Sequence, residues 1–173
     1  MLRLFVVLSA LCAMAVPIPL PDYYSYSLAA GDGSGIEYST AHEGRINGIR
    51  IYEYPYYYGN YINGIQLSYD GNWTTVVGVN YYGNVEEMLL FKDEYIVQVS
   101  GKYYNGYINE LMFVSNHGRS IKVGQPSGNS FNFYPTHDGS ELRFISGRQN
   151  GWALTSIGAH WAVYYTSSNA SSS

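Results

Sequence analysis

The sequence predicts a single all-β domain, and three observations support that prediction. Short runs of alternating apolar and polar residues dominate the chain, and no stretch keeps a 3.6-residue apolar period between helix caps. The composition includes 20 Tyr and 19 Gly; tyrosine suits half-buried sheet surface and glycine suits the turns between short strands. A short phrase also recurs at a fixed step, which indicates a repeated antiparallel unit.

Seven segments have the length and alternation of strands, with Gly, Asn, Asp and Pro in the gaps between them. In chain order they cover residues 46–54, 61–69, 86–91, 95–103, 108–114, 130–134 and 141–146. A closing strand is expected at SIGAHW (156–161). The tyrosine-rich run 52–61, YEYPYYYGNY, is predicted to form a twisted hairpin at a sheet edge, with Pro55 marking a bulge or turn.

The recurring phrase predicts three sheets. It begins at Ile62 (INGIQL), Ile108 (INELMF) and Leu154 (LTSIGA), and both steps are 46 residues. A Ser-Gly-basic turn repeats with the same step, at Ser100 and Ser146. Because 46 residues hold four short strands and their turns, each unit is expected to form one small antiparallel sheet. Propellers have four or more blades, so three sheets around one core are favoured.

The N-terminal residues have the pattern of a secretory signal peptide over 1–15, with Arg3, an apolar run and the cleavage pattern Ala13-Met14-Ala15. The only cysteine, Cys12, lies inside that segment, so no disulfide is expected in the mature chain. We expect an N-terminal lead or propeptide over 16–23, the folded domain over 24–166 and a flexible serine-rich tail over 167–173. No other apolar run is long enough to insert into a membrane.

Composition and spacing also exclude several functions. The net charge is −4 and the basic residues are scattered, which argues against a nucleic acid partner. The four histidines lack metal-ligand spacing, so we expect no metal or other cofactor, and His160 is interpreted as a packing residue. The acidic pairs Glu86-Glu87 and Asp93-Glu94 point to opposite strand faces and cannot cooperate as acid and base. The chain is therefore not expected to be an enzyme.

Several segments, in order, resemble the jacalin-related lectins. They are GDGSGIEYS (31–39), INGIRIY (46–52), VEEMLL (85–90), IVQVSGKY (96–103), LRFISGR (142–148) and SIGAHW (156–161). The resemblance covers residues 24–165 and implies the β-prism I fold, in which three four-stranded Greek-key sheets surround a pseudo-threefold axis. That implied fold agrees with the 46-residue period.

The resemblance further implies carbohydrate binding without catalysis, at a shallow mannose-type site made by loops at one end of the prism. The first loop is Gly33-Ser34-Gly35, where small residues let backbone amides approach a hydroxyl. The second is the family's Gly-x-x-x-Asp motif, which corresponds here to Gly151-Trp152-Ala153-Leu154-Thr155. A third loop, Lys102-Tyr103-Tyr104, is implied to flank the site and tune glycan choice.

Thr155 stands where the family has its aspartate. A carboxylate accepts charge-assisted hydrogen bonds from two neighbouring hydroxyls, and a neutral hydroxyl does not. Losing about 2 kcal/mol weakens a site roughly thirtyfold, so mannose binding is predicted to be weakened or altered. Acidic or neutral residues in Ile36-Glu37 and Asn109-Glu110 also argue against carrying over any binding of sulfated glycans.

Two functions remain open at this point. One is a secreted lectin for glycans or glycoproteins of mucus, secretory granules or microbial surfaces. The other is a lectin-fold packing protein of a secretion that has lost sugar binding and carries an adhesive surface in residues 52–61. Trp73, Trp161 and Trp152 are interpreted as packing residues, although Trp152 lies in the sugar loop and could stack on a pyranose. Asn72 and Asn169 are candidate glycosylation sites, and the sequence does not determine the oligomeric state.

Overall fold

The structure is a computed structural model and describes residues 22–54, 61–80 and 83–164. These ranges contain strands and turns, and none of them forms a helix that could cross a membrane. The strands are β1 (Asp22–Gly31), β2 (Ile36–Ser39), β3 (Ile46–Glu53), β4 (Ile62–Tyr69), β5 (Asn72–Trp73), β6 (Val77–Gly78), β7 (Asn84–Leu89), β8 (Ile96–Tyr104), β9 (Tyr107–Ser115), β10 (Ser120–Gly124), β11 (Asn129–Phe133), β12 (Ser140–Gln149) and β13 (Leu154–Val163). The predictions for the signal peptide, the tail, Asn169 and Pro55 lie outside the described residues.

The strands form three antiparallel sheets, which confirms the predicted fold class. The first sheet has the order β5-β4-β3-β7, with β6 also paired to β4. The second has the order β10-β9-β8-β11, and the third has β1-β13-β12-β2. Because β5 and β6 both pair with β4, they act as one interrupted outer strand, so each sheet has four strand positions.

A hairpin lies at the centre of each sheet, and the remaining strands lie on its two outer sides. In the second sheet the spatial order β11-β8-β9-β10 is that of a Greek key, in which the fourth strand lies beside the first. The third sheet has the same arrangement, but its outer strands come from the N-terminal part of the domain: β1 pairs with β13, and β2 pairs with β12. The first and last described strands are therefore neighbours.

The apolar positions of the repeated phrase form the centre of the core. Ile62, Ile108 and Leu154, which begin the three phrases, are completely buried. Side chains from all three sheets belong to one continuous core cluster, which includes Phe113 of the second sheet and Trp161 of the third. The 46-residue period therefore reflects three equivalent contributions to a single core.

The structure corrects two predictions about strands. The hairpin that contains residues 52–61 is not at an edge, because β3 and β4 are the two central strands of the first sheet. The second correction is a strand that was not predicted, β1, which begins at Asp22, where it pairs with Val163. The N-terminal strand was missed because most of its side chains are exposed or half-buried and show no regular apolar alternation.

The three central hairpins point toward the same end of the prism, here called the site end. The connections are between β3 and β4, between β8 and β9, and between β12 and β13, and aromatic side chains from all three line one cleft there. The glycine-rich loop between β1 and β2 also lies at this end, because Gly31 pairs with Ser156 and Ile36 pairs with Gln149. The connection from β11 to β12 lies at the opposite end.

Candidate functional site

The glycine-rich loop adopts a conformation that requires glycine. Gly31, Gly33 and Gly35 have φ angles of 111°, 73° and 90°, a region that L-residues with side chains rarely adopt. Between them, the carboxylate of Asp32 accepts a hydrogen bond of 3.1 Å from the amide of Ser34. The alternation of glycine with short polar residues therefore folds the chain into a compact exposed turn.

The glycine-rich loop is joined directly to the β12–β13 loop through Thr155. The Thr155 hydroxyl donates a 2.5 Å hydrogen bond to the carbonyl of Ser34. The amide of Gly33 donates to the carbonyl of Thr155 at 3.4 Å. The two loops that the family resemblance implied are therefore in contact. Thr155 itself is completely buried, so its side chain serves the loop junction and presents no hydroxyl to solvent.

The amides of the β12–β13 loop are already hydrogen-bonded within the loop. The Asn150 side-chain oxygen accepts from the amides of Trp152, at 3.1 Å, and Ala153, at 3.2 Å. The side-chain oxygen of Gln149 accepts from the amide of Gly151 at 2.6 Å. The family resemblance implies that the amides after Gly151 bind sugar hydroxyls, but here the Asn150 side chain occupies the amides of both Trp152 and Ala153.

Arg148 fixes the glycine-rich loop from the other side. Its guanidinium donates to the carbonyl of Gly35 at 2.9 Å and forms an ion pair with Glu37 at 2.5 Å. The negative charge that follows the glycine-rich loop is therefore compensated locally. Arg148 and Asn150 could not be recognised as site residues from the sequence, because their roles depend on contacts between residues far apart in sequence.

The third implied loop contributes unequally to the site end. The Lys102 ammonium lies 2.8 Å from the hydroxyl of Ser130 on β11, and Tyr103 packs against the core. Only the Tyr104 side chain is mainly exposed. The following turn, Asn105-Gly106, has φ angles of 50° and 88°, which suit the tight turn of a two-residue hairpin.

The three tryptophans have three different environments. Trp161 is a core residue with no exposed surface, and Trp73 is half-buried with the Arg50 guanidinium 3.8 Å above its ring. Trp152 is 62% exposed at the site end. Its neighbours in space are Tyr54, Tyr61 and Tyr107, and the four rings line a cleft of about 280 Å³.

His160 has the environment expected of a packing histidine. Its ring stacks on Phe144 with centroids 3.9 Å apart, and its nitrogens contact the hydroxyls of Tyr24 and Ser146. Burial lowers the pKa of His160, so the neutral ring is favoured at neutral pH. Among the described residues, no group of three His, Cys, Asp or Glu side chains is placed to hold a metal ion. Asn72, a candidate glycosylation site, is exposed directly after the Asp70-Gly71 turn.

The fold and the loop arrangement define the class of protein. A model of the jacalin-like lectin domain matches residues 27–160, and the chain therefore belongs to this family. Zymogen granule membrane protein 16 of Homo sapiens is 40% identical over 146 residues, which are 83% of this chain and 83% of that protein. The protein of the same name from Rattus norvegicus is 41% identical over 143 residues, or 81% of each chain.

Solved structures give the same result for the fold. A prostate-specific glycoprotein lectin, WGA16, superposes with a TM-score of 0.70 and 26% identity, covering 82% of this chain and 100% of that chain. The Calsepa lectin, solved in complex with a bisected glycan, has a TM-score of 0.67 and 21% identity, covering 86% and 100% of the two chains. The predicted β-prism fold and family are confirmed, and the relatives are lectins, which bind carbohydrates and are not enzymes.

Proposed function

We propose that this chain is a secreted lectin that binds glycans at the site end of its prism. The observation that carries the proposal is the junction of the glycine-rich loop with the β12–β13 loop, made by the hydrogen bond from Thr155 to Ser34. Membership of the jacalin-like lectin family supports it. The exposed indole of Trp152 beside this junction offers a surface of the kind on which sugar rings stack.

The proposed location is the lumen of secretory granules or an extracellular secretion. The pattern of residues 1–15 is typical of a secretory signal peptide. The curated relatives reported above are named zymogen granule membrane protein 16, and this name associates them with secretory granules. The proposed ligands are accordingly glycans of mucus, of granule contents or of microbial surfaces.

Free mannose is proposed to bind weakly. The β12–β13 loop has no carboxylate at Thr155, and the hydroxyl of this residue is already bonded to Ser34. The amides of Trp152 and Ala153 must also leave the Asn150 side chain before they can donate to a sugar. Each of these exchanges reduces the net gain from binding, because a ligand hydrogen bond then only replaces an existing one. Clustered glycans can recover affinity through multivalency.

The same occupied amides favour a second candidate function. A loop whose donors are all satisfied internally resembles a structural turn, as expected for a lectin-fold packing protein of a secretion that has lost sugar binding. In that case the residues of the site end would stabilise the fold and form part of its surface, but they would bind no ligand.

A glycan array on the purified protein, followed by calorimetric titration of the strongest ligand, separates the two candidates. The variant Ser34→Tyr places a bulky side chain at an exposed position of the glycine-rich loop and is expected to abolish binding. Thr136→Tyr, at an exposed position of the opposite end, is the matched control and should bind like the wild type. An array that is silent across mannose, galactose and microbial polysaccharides would instead support the packing protein.

A further inference from the structure

The site end contains an aromatic cleft that the family's sugar loops do not account for. It is lined, among the described residues, by Tyr54, Tyr61, Tyr107 and Trp152, and its volume is about 280 Å³. Tyr54 and Tyr61 flank the β3–β4 connection, Tyr107 begins β9, and Trp152 lies in the β12–β13 loop. One aromatic cleft is therefore assembled from all three repeats of the prism.

Two of the rings occupy equivalent positions of the repeat. Tyr61 and Tyr107 directly precede the repeated phrases that begin at Ile62 and Ile108, and their ring centroids are 4.3 Å apart at an interplanar angle of 34°. Tyr54 extends this row, with its centroid 6.4 Å from that of Tyr61. The three tyrosines thus form one continuous aromatic wall beside the exposed indole of the third repeat.

The chemistry of the cleft fits a neutral ligand with a flat apolar face. Within the described part of the chain, no charged side chain lines it. Its polar groups are hydroxyl and amide groups at the rim, where the Asn150 amide donates to the Tyr107 hydroxyl at 3.3 Å. A pyranose combines an apolar C–H face with hydroxyls at its edge, and the cleft volume suits one small ring rather than a drug-sized molecule, which needs more than about 300 Å³.

Asn150 links this cleft to the sugar loop. Its side-chain oxygen holds the amides of Trp152 and Ala153, while its side-chain nitrogen reaches Tyr107. An oligosaccharide bound at the junction of the two loops would therefore extend into the cleft. The cleft is therefore connected, through Asn150, to the loop that is proposed to bind a sugar.

We propose that the aromatic cleft is a second sugar subsite that takes a β-linked, gluco-configured pyranose of an oligosaccharide. The proposal rests on the glycan-binding function proposed above. In a β-gluco ring all hydroxyls are equatorial, so axial C–H groups cover both faces. Mannose has an axial 2-hydroxyl that places oxygen on one face. The cleft is lined by rings from three different hairpins, and a sugar with C–H groups on both faces can pack on such rings through either face, which favours the gluco configuration.

Calorimetric titration with cellotriose and mannotriose tests the proposal. We expect the wild type to bind cellotriose at least tenfold more tightly than mannotriose. Trp152→Ala should weaken cellotriose binding at least tenfold, and Trp152→Phe should restore most of it because a flat ring is retained. Tyr134→Ala is the matched control, since Tyr134 is 54% exposed at the opposite end of the prism. Both tryptophan variants should keep the wild-type thermal unfolding midpoint because Trp152 is largely exposed.

The outcomes separate this proposal from the function on which it rests. Glycan binding on the array that is unaffected by Trp152→Ala would overturn the aromatic subsite and leave the lectin function standing. A preference for mannotriose would also overturn it. Absence of binding to every saccharide would overturn both proposals. Binding of tetramethylammonium or spermidine in place of sugars, lost in Trp152→Ala, would identify the cleft as a cation site and contradict the proposal.

Discussion

Thr155 is a buried residue whose side chain joins the start of β13 to the glycine-rich loop. The family resemblance implies a ligand-binding carboxylate at this position, and in the structure Thr155 is the second residue of β13, directly after the β12–β13 connection. Its side chain is nevertheless buried and donates to the Ser34 carbonyl, so the position now joins two loops. The Thr155 side chain therefore holds the glycine-rich loop and has no polar group free for a ligand.

Replacing Thr155 by valine is expected to loosen this junction. The two side chains have nearly the same shape, so the change removes mainly the hydrogen bond and leaves the Ser34 carbonyl without that donor. We expect the free energy of unfolding to fall by about 1–2 kcal/mol. Chemical denaturation measures this loss, and amide hydrogen exchange should increase in residues 31–35. Unchanged exchange there would show that the bond does not hold the loop.

Asn150 is expected to control whether a mannose site can be rebuilt. Thr155→Asp alone should not raise the affinity for methyl α-mannoside, because the Asn150 side chain still occupies the amides of Trp152 and Ala153. Combining it with Asn150→Gly frees both amides and supplies a carboxylate. Affinity in calorimetric titration should then rise roughly tenfold, equivalent to about 1.4 kcal/mol. An equal gain from Thr155→Asp alone would contradict this role of Asn150.

At the scale of elements, most strands with a buried apolar pattern were predicted. The exceptions are β10, which was missed although Ile121 and Val123 are buried, and β7, which was predicted although most of its side chains are exposed. The strands β3, β4, β8, β9 and β12 were predicted because each contributes alternating or continuous apolar residues to the core. The two-residue strands β5 and β6 are too short to show a period, and β1 and β2 expose most of their side chains. β1 and β2 are specified by pairing with β13 and β12, which are distant in the sequence, and a local pattern does not encode such pairing.

The site was predictable to a similar extent. Turn-forming glycines revealed the position of the loops, and the family resemblance indicated which loops meet. Other features of the candidate site depend on side-chain directions at three hairpin tips. They are the contacts of Asn150 and Arg148 and the position of Tyr54 and Tyr107 in one cleft. These side-chain directions are fixed only by the packing of the three sheets around one core.

Glu94, in the turn before β8, is expected to make the free energy of unfolding depend on pH in the acidic range. Burial of Glu94 acts to raise the pKa of its carboxyl. Hydrogen bonds from the Ser115 hydroxyl and the Phe91 amide, together with the Arg119 guanidinium, outweigh that effect and lower the pKa below its ordinary value of 4.5. A carboxyl whose pKa is lowered by folding stabilises the fold above its unfolded pKa. This contribution is lost as the pH falls through the folded pKa.

Denaturation at a series of pH values tests this expectation. The wild type should lose stability as the pH falls below about 4.5. Glu94→Gln should be less stable by about 2 kcal/mol at neutral pH, because it leaves the Arg119 ion pair broken, and its stability should fall less on acidification. Glu86→Gln is the control, since Glu86 is exposed on β7. Parallel acid profiles of wild type and Glu94→Gln would contradict the assignment.

At the scale of the whole molecule, the three sheets share one core and should unfold together. Phe113 is completely buried, and the core cluster that contains it includes residues of every sheet. Phe113→Ala is expected to lower the free energy of unfolding by about 4 kcal/mol. Tryptophan fluorescence and far-UV circular dichroism should still report one coincident transition. Separate transitions would show that the sheets are independent units.

The pairing of β1 with β13 has a consequence for the order in which the molecule is completed during synthesis. The first and second sheets can form as their strands leave the ribosome, because their members follow one another in the chain. In the third sheet, β1 and β2 can pair only after β12 and β13 have been synthesised. Because the glycine-rich loop meets its partner only in that sheet, a nascent chain without β13 has no finished site. The site end is therefore completed only after β13 has been synthesised.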